Sequence, residues 1–298
     1  MYRILFLAMV SVTLLYGCEL YQQDRYKEYY VVESYLVAHN SLPEVLLSKT
    51  VPLEEEYSYK DAAIDNAEVE VRWLNADSTI RRRYPYTFSK DGIYAPVQSA
   101  TVREKQLYQL LVTLPSGDSI EAKTFVPGDF KTVNRDELSD RYVYQGDEQI
   151  EITTTPSGYI TDRQTYYVFT IVAEETDSTN LTPFYADLVE EQDNSIENFY
   201  INSSGIINEG NYERNSDNNI SLKVPWISFS FYGHNAVVAN AIDDNMYDFL
   251  RSQSVQTGGT SLSPGEIQNI RYNINGGIGI FGSLASDTNR FQILRPSP

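Results

Sequence analysis

Gly277, Gly279 and Gly282, inside the stretch YNINGGIGIFGSLASD (residues 272–287), stand at the G-x-G-x-x-G spacing of a loop that lays its backbone against a pyrophosphate. That chemistry needs a strand before the glycines, a helix after them and an acidic residue about 20 positions further on to hold a ribose. Here the chain ends at Pro298, before such an acid has a place, and SLASDTNRFQIL sets Ser, Asp, Thr and Asn where the helix should begin. Tyr272 and Ile274, then Ile278 and Ile280 after the Gly276-Gly277 pair, alternate instead. Glycine inside a strand marks a bulge, a bend or a close backbone approach. The expectation is a kinked structural strand carrying Gly276, Gly277, Gly279 and Gly282, and no nucleotide.

The other reactive residue types are sparse. His39 and His234 are the two histidines and Cys18 the one cysteine, too few for a zinc site of Cys and His. No G-x-S-x-G elbow, H-E-x-x-H helix or Walker loop occurs. His234, in FYGHNA, reads as a turn residue rather than a general base. Asn215, Asp217, Asn219 and Ser221 place oxygens at alternate positions, as a calcium loop does. An EF-hand begun at Asn215 would nevertheless meet Ile220 where Gly belongs and Trp226 where a bidentate Glu belongs. Asp243 and Asp244 read as the cap and first turn of a helix, where carboxylates suit the dipole. With 41 acids in the chain, pairs of carboxylates arise by chance. The residues therefore predict no catalytic group, no metal and no cofactor.

The elements that would position any site are mostly strands. The 24 Tyr and 12 Phe, with many Val, Ile and Thr, suit half-buried pleated surfaces. AEVEVRWL sets Ala67, Val69, Val71 and Trp73 on one face and Glu68, Glu70 and Arg72 on the other, a strand with one wet side. QLYQLLVTL and DSIEAKTFV flank Pro115-Ser116-Gly117-Asp118 as a hairpin. YYVVESYLV, EVLLSKTV, TIRRRYPYTF and GIYAP complete an antiparallel β-sandwich of about 100 residues, over 28–127, ending at Val126-Pro127-Gly128. A second, mainly antiparallel β domain follows over 128–298, with strands at QIEITTT, TYYVFTIVAE and WISFSFY. Its one helix is DDNMYDFLRSQSVQ, residues 243–256, stopped by Gly258-Gly259. Between them the stretch from Glu174 to about Asn219 is long and polar, with eight acids and no Lys or Arg across 174–197. Connections of that length are functional or disordered.

The amino terminus speaks of location. Arg3 is followed by the apolar run Ile4 to Gly17, too short to cross a bilayer and proportioned like a secretory leader, residues 1–17. Leu15-Tyr16-Gly17-Cys18 resembles a bacterial lipobox, although Tyr16 is bulkier than usual. A lone cysteine in a secreted chain needs a reason, and lipidation of Cys18 supplies one, leaving 18–27 as a lipidated tether. An ordinary leader or an amino-terminal anchor helix with an incidental cysteine is the competing reading. The formal net charge of −18 repels nucleic acid and anionic lipid. The one basic cluster, Arg81-Arg82-Arg83, sits in a strand and reads as a solvated face.

The lipobox, YYVVESYLV, IDNAEVEV, GIYAP, the hairpin ending FVPG, MYDFLRSQ and NINGGIGIFG succeed one another in an order that resembles domain-of-unknown-function family 4249, outer-membrane lipoproteins of Bacteroidota. The most specific element is Gly276 to Gly282. The resemblance implies an immunoglobulin- or transthyretin-like sandwich followed by a second β-rich domain, so an all-β chain. It also implies genes commonly placed beside TonB-dependent outer-membrane receptors, and it carries over no catalytic residue. The functional expectation is a non-enzymatic, lipid-anchored outer-membrane protein, on the cell surface or facing the periplasm. It would serve a TonB-dependent receptor in ligand capture or uptake. A structural or adhesive surface module, and an anchored enzyme acting on a polymer, are the other readings.

Overall fold

The computed structural model describes residues 26–159, 163–192, 194–256 and 269–297. Cys18 and the leader lie outside the described residues, as do Gly258 and Gly259. The chain is mostly β. In the first half, strands β1 (Tyr30–Val37), β2 (Val45–Lys49), β3 (Glu68–Leu74), β4 (Ile80–Lys90), β5 (Ile93–Pro96), β6 (Leu107–Thr113) and β7 (Ser119–Phe125) pair in the order β1-β2-β5-β4-β3-β6-β7. Alternation decides their faces. Val69, Val71 and Trp73 of β3 turn inward with Tyr108, Leu110 and Val112 of β6 and Ile120 and Ala122 of β7. The eleven-residue β4 serves both β3 and β5, and so joins the two ends of this run. Its Tyr84 and Tyr86 are buried, while Arg81 and Arg82 lie 4.1 and 5.2 Å over the rings of Trp73 and Tyr84. Arg83 pairs with Glu70 at 2.7 Å, so this basic cluster is engaged within its own sheet. The hairpin turn has Gly117 at φ +88°, a left-handed conformation that glycine adopts without strain.

The second half adds β8 (Arg141–Val143), β9 (Glu151–Thr154), β10 (Tyr166–Ala173), β11 (Ile201–Ser203), β12 (Ile207–Asn208), β13 (Ile220–Lys223), β14 (Gly233–Ile242) and β15 (Ile278–Leu294). β10 is central as its apolar sequence implies, with β14 on one edge and β11 and β12 on the other. β14 itself has no counterpart among the expected strands. WISFSFY is not the strand its alternation suggests: Trp226–Ser228 form a 3-10 turn after Pro225, and Phe231 makes a single bridge to Leu181. Nor is the helix Asp244–Gln256 alone, for Pro183–Gln192 forms another. It belongs to the acidic stretch 174–219, which is folded over its described residues. Leu181, Tyr185 and Phe231 make a small separate core there, and two short strands attach the stretch to β10.

β15 ties the halves together. Its first part runs parallel to β1, from Val31↔Ile278 to Val37↔Leu284, and its second runs antiparallel to β14, from Ile242↔Leu284 to Gly233↔Ile293. The chain turns from one half to the other near Gly128, yet its last strand belongs to both. Where a neighbouring strand gives out, a side chain and a helix-cap backbone replace it. Asn273 donates to Phe281 O at 2.7 Å and accepts from Phe281 N at 3.0 Å, and Asp243 N donates to Ser283 O at 3.0 Å. On the opposite edge, β8 pairs with residues 292–294, and Arg135 forks onto Asp287 at 2.8 and 2.9 Å.

At this crossing a buried polar network joins β7, β15 and the helix Asp244–Gln256. Thr124 Oγ1 lies 2.5 Å from Asp243 Oδ2 and 2.6 Å from Ser283 Oγ, and Ser283 Oγ donates to Phe125 O at 3.1 Å. Asp243 also caps the helix, accepting from Met246 N at 2.9 Å. Burial is the main influence on its carboxyl and outweighs the hydrogen bonds that favour the charge, so its pKa is pushed up to about 6. A protonated Asp243 can donate to Thr124, Thr124 to Ser283 and Ser283 to Phe125 O, so that each hydroxyl donates once. The folded state then binds more protons than the unfolded chain between pH 3.8 and about 6. This contribution is full below the unfolded value and is lost as pH rises through the folded one. At 1.36 kcal/mol per pKa unit the whole effect is about 3 kcal/mol. In urea denaturation at pH 4.5 and 7.5, Asp243→Asn should gain stability relative to wild type at the higher pH. A difference between the two proteins that does not change with pH would contradict the assignment.

Candidate functional site

A sizeable cleft lies over β1 and β2, and the register of these strands builds it. Antiparallel pairing sets Val31 opposite Ser48 and Glu33 opposite Leu46, so the outward residues of β1 (Val31, Glu33, Tyr35) share a face with alternate residues of β2. The segment after β2 then folds back over that face. Ser58 caps the short helix Tyr59–Ala62, Ala62 is fully buried, and Ile64 N donates to Leu47 O at 3.1 Å. This return sets Tyr57 and Tyr59 over the strands. Together with Val31, Glu33, Leu46, Ser48, Lys49, Thr50 and Val51 they enclose about 380 Å³, within the size range of small-molecule sites.

The electrostatics of the cleft are uneven. Lys49 is turned onto Glu28, 2.9 Å away, and that hydrogen bond raises its pKa. Burial, with Glu33 beside it, pushes the Tyr35 hydroxyl up to about 12. The Tyr59 hydroxyl is raised too, by burial first and then by neighbours that include Tyr57, Glu33 and Asp65. It is buried and makes no hydrogen bond among the described residues, a state that costs about 1–3 kcal/mol. The cleft offers apolar contact, ring faces, hydroxyls and one carboxylate. It can hold a ligand, but it does not pair a nucleophile with a base.

The residues singled out in the sequence do not converge on it. His39 Nε2 lies 3.6 Å from Asp129, and His234 Nδ1 meets Glu175 at the start of β14, in separate exposed pairs. Asn215 Oδ1 accepts from the backbone N–H groups of Asp217 and Asn219 at 3.0 and 2.9 Å, which makes it a turn former. Among the described residues no three His, Cys, Asp or Glu side chains are grouped to hold a metal ion. The glycines sit where β15 enters the sheet. A Cβ on Gly279 (φ +109°) would lie 2.1 Å from Val32 O, and one on Gly276 (φ +83°) 2.4 Å from Ser119 O. At Gly277 it would approach Tyr30 O to 2.8 Å, and at Gly282 the Met246 side chain to 2.5 Å. Beyond them the chain continues as the remainder of a 17-residue strand, not as a helix. Their spacing serves close packing against β1, β7 and the helix. Sequence reading missed the cleft because Glu33 and Tyr57 have no motif in common. The alternation of YYVVESYLV, which turns Glu33 outward, is the one signal that could have found it.

The family described as Domain of unknown function (DUF4249) matches residues 18–290. The chain belongs to this family. No curated protein matches it. Among solved structures, the family member is similar to Escherichia coli alpha-2-macroglobulin activated by porcine elastase, at 7% identity and a TM-score of 0.23, over 90% of this chain and 20% of that one. Salmonella alpha-2-macroglobulin reacted with methylamine gives 7% identity and a TM-score of 0.25, over 90% of this chain and 15% of that one. The chain thus spans a fifth or less of those proteins, and likeness at this level carries no argument about function.

The glycine geometry yields a direct test. Gly279→Ala should lower stability by about 2 kcal/mol or more, because a left-handed conformation and a backbone clash are imposed together. Gly205→Ala, where an added Cβ meets nothing within 4 Å, should be close to neutral. NAD and ATP should leave the melting temperature of the wild type unchanged. A saturable shift with either nucleotide would reverse the reading of these glycines.

Proposed function

We propose that this protein is a lipid-anchored outer-membrane protein without catalysis of its own. In this reading it is held by Cys18 and serves a TonB-dependent receptor in capturing or admitting a ligand. The observation that carries the reading is a set of exposed apolar side chains on and beside the acidic segment. Phe184, Ile201 and Ile227 are 47%, 62% and 56% exposed. Each lies at or next to one hydrogen-bond node: the Tyr185 hydroxyl donates to Ile227 O at 2.8 Å and meets the Asn202 amide, and the Phe184 and Tyr185 rings are 5.1 Å apart. Exposed apolar side chains fixed on a folded scaffold are what a docking surface requires. The surrounding acids of 174–197 would keep such a surface soluble and select partners of complementary charge.

A lipid anchor suits this role. Fully extended, Glu19 to Lys27 could reach about 30 Å at roughly 3.3 Å per residue, enough to set the folded body beside a membrane-embedded barrel. Two partners confined to one membrane gain effective concentration, so a modest interface suffices.

Mild-detergent purification of the wild type should recover a TonB-dependent receptor. The pair Phe184→Asp and Ile227→Asp should reduce that recovery at least tenfold while melting like the wild type. Cys18→Ser should move the chain out of the membrane fraction or leave it unprocessed. Recovery of the protein alone, under conditions that preserve known receptor–lipoprotein pairs, would contradict the proposal.

A further inference from the structure

The cleft over β1 and β2 has a chemical preference that can be read from its walls. Its floor is apolar, formed by Val31, Leu46 and Val51, and Tyr57 and Tyr59 present rings above it. Tyr57 is more than half exposed, which leaves its ring available to an incoming group. Of the two charged side chains in the lining, Lys49 is already paired with Glu28. The Glu33 carboxylate has no hydrogen bond or ion pair among the described residues. Its neighbours are phenols, Tyr35 and Tyr59, both of which register its negative charge. An unpaired carboxylate beside aromatic faces is the arrangement that attracts an organic cation, through the ion pair and the ring quadrupoles together. An anion would meet Glu33 and, in the acidic run Glu54-Glu55-Glu56, a Glu55 near enough to Lys49 to act on its charge. A neutral polyol would leave Glu33 without a counter-charge.

We infer that this cleft binds a small organic cation, an amine or guanidinium on an apolar or aromatic body, with the charge on Glu33 and the body between Tyr57, Tyr59 and the floor. Ser48 lines the same space and its hydroxyl can accept a further N–H donor, whereas the Thr50 hydroxyl is already engaged by Tyr29 N and the Tyr26 hydroxyl. The volume of about 380 Å³ admits one such molecule, or one basic side chain of a peptide. The site rests on its own geometry and stands whether or not the receptor proposal does.

Three probes of matched shape separate the possibilities: phenethylamine, uncharged 2-phenylethanol and anionic phenylacetate. Each is titrated by equilibrium dialysis into the full chain in non-ionic detergent, with empty micelles as the blank. Phenethylamine should bind saturably, at least tenfold more tightly than either other probe, and its affinity should fall as salt is raised. Glu33→Gln should weaken the amine at least tenfold and leave 2-phenylethanol unchanged, and Tyr57→Ala should weaken both. Glu33 is exposed on the outer face of β1, and matched melting curves confirm that the variant is folded. Equal binding of amine and alcohol, preference for phenylacetate, undiminished amine binding in Glu33→Gln, or no saturable binding would each overturn the inference.

Discussion

The whole molecule depends on how the hydrogen bonds along both edges of β15 are satisfied. A seventeen-residue strand presents more backbone donors and acceptors than either half of the protein could cover alone, and a buried unpaired N–H or C=O is costly. β1 covers one edge from Ile278 to Leu284, and β14 covers the other from Leu284 to Ile293. Along the first part of the edge that β14 leaves uncovered, the side chain of Asn273 and the backbone of Asp243 take the place of a strand. The glycines answer to the same constraint. β1 can approach β15 this closely because Gly279 has no side chain to strike Val32 O. The motif that imitates a nucleotide loop is thus the sequence trace of a strand crossing.

Closure of this crossing also protects the far edge of the first half. β7 ends the order of strands, and an open edge of that length invites pairing with other chains. Residues just ahead of β15 and at the start of the helix Asp244–Gln256 cover it. Asn275 exchanges backbone bonds with Glu121 at 2.8 and 2.9 Å, and Asn245 and Asn273 donate to Lys123 O. The cleft lies over β1 and β2, and Phe184, Ile201 and Ile227 stand exposed on and beside the acidic stretch. Both features suit the proposed binding role.

Much of this is legible where a strand has one wet face. β3, β6 and β7 alternate because water lies on one side and Tyr108, Leu110 and Ile120 on the other, and their bounds track the pattern closely. β14 is illegible for the opposite reason. Both its faces are covered, so GHNAVVANAI has no polar alternation, and its Asn235 and Asn240 are buried. They look like turn residues until Asn240 is seen donating to Val168 O and Thr170 Oγ1 on β10. The acidic helix is hidden because its packing partner Phe231 lies far along the chain. Asp243 reads as a cap, which it is. Its tie to Thr124, 119 residues earlier, is tertiary and leaves no local signal. The cleft belongs to the same class, since only the return of the segment after β2 brings Tyr57 and Tyr59 over Glu33.

If β15 unites the halves, the protein should open as one unit. Native-state hydrogen exchange on the intact chain, monitored by mass spectrometry in increasing denaturant, reads this directly. Amides of 278–284, of 285–294, of β1 and of β14 should share one opening free energy and lose protection at the same denaturant concentration. Loss of protection in β10, β14 and 285–294 while β1 and 278–284 stay protected would divide the strand at Leu284, and would contradict the account.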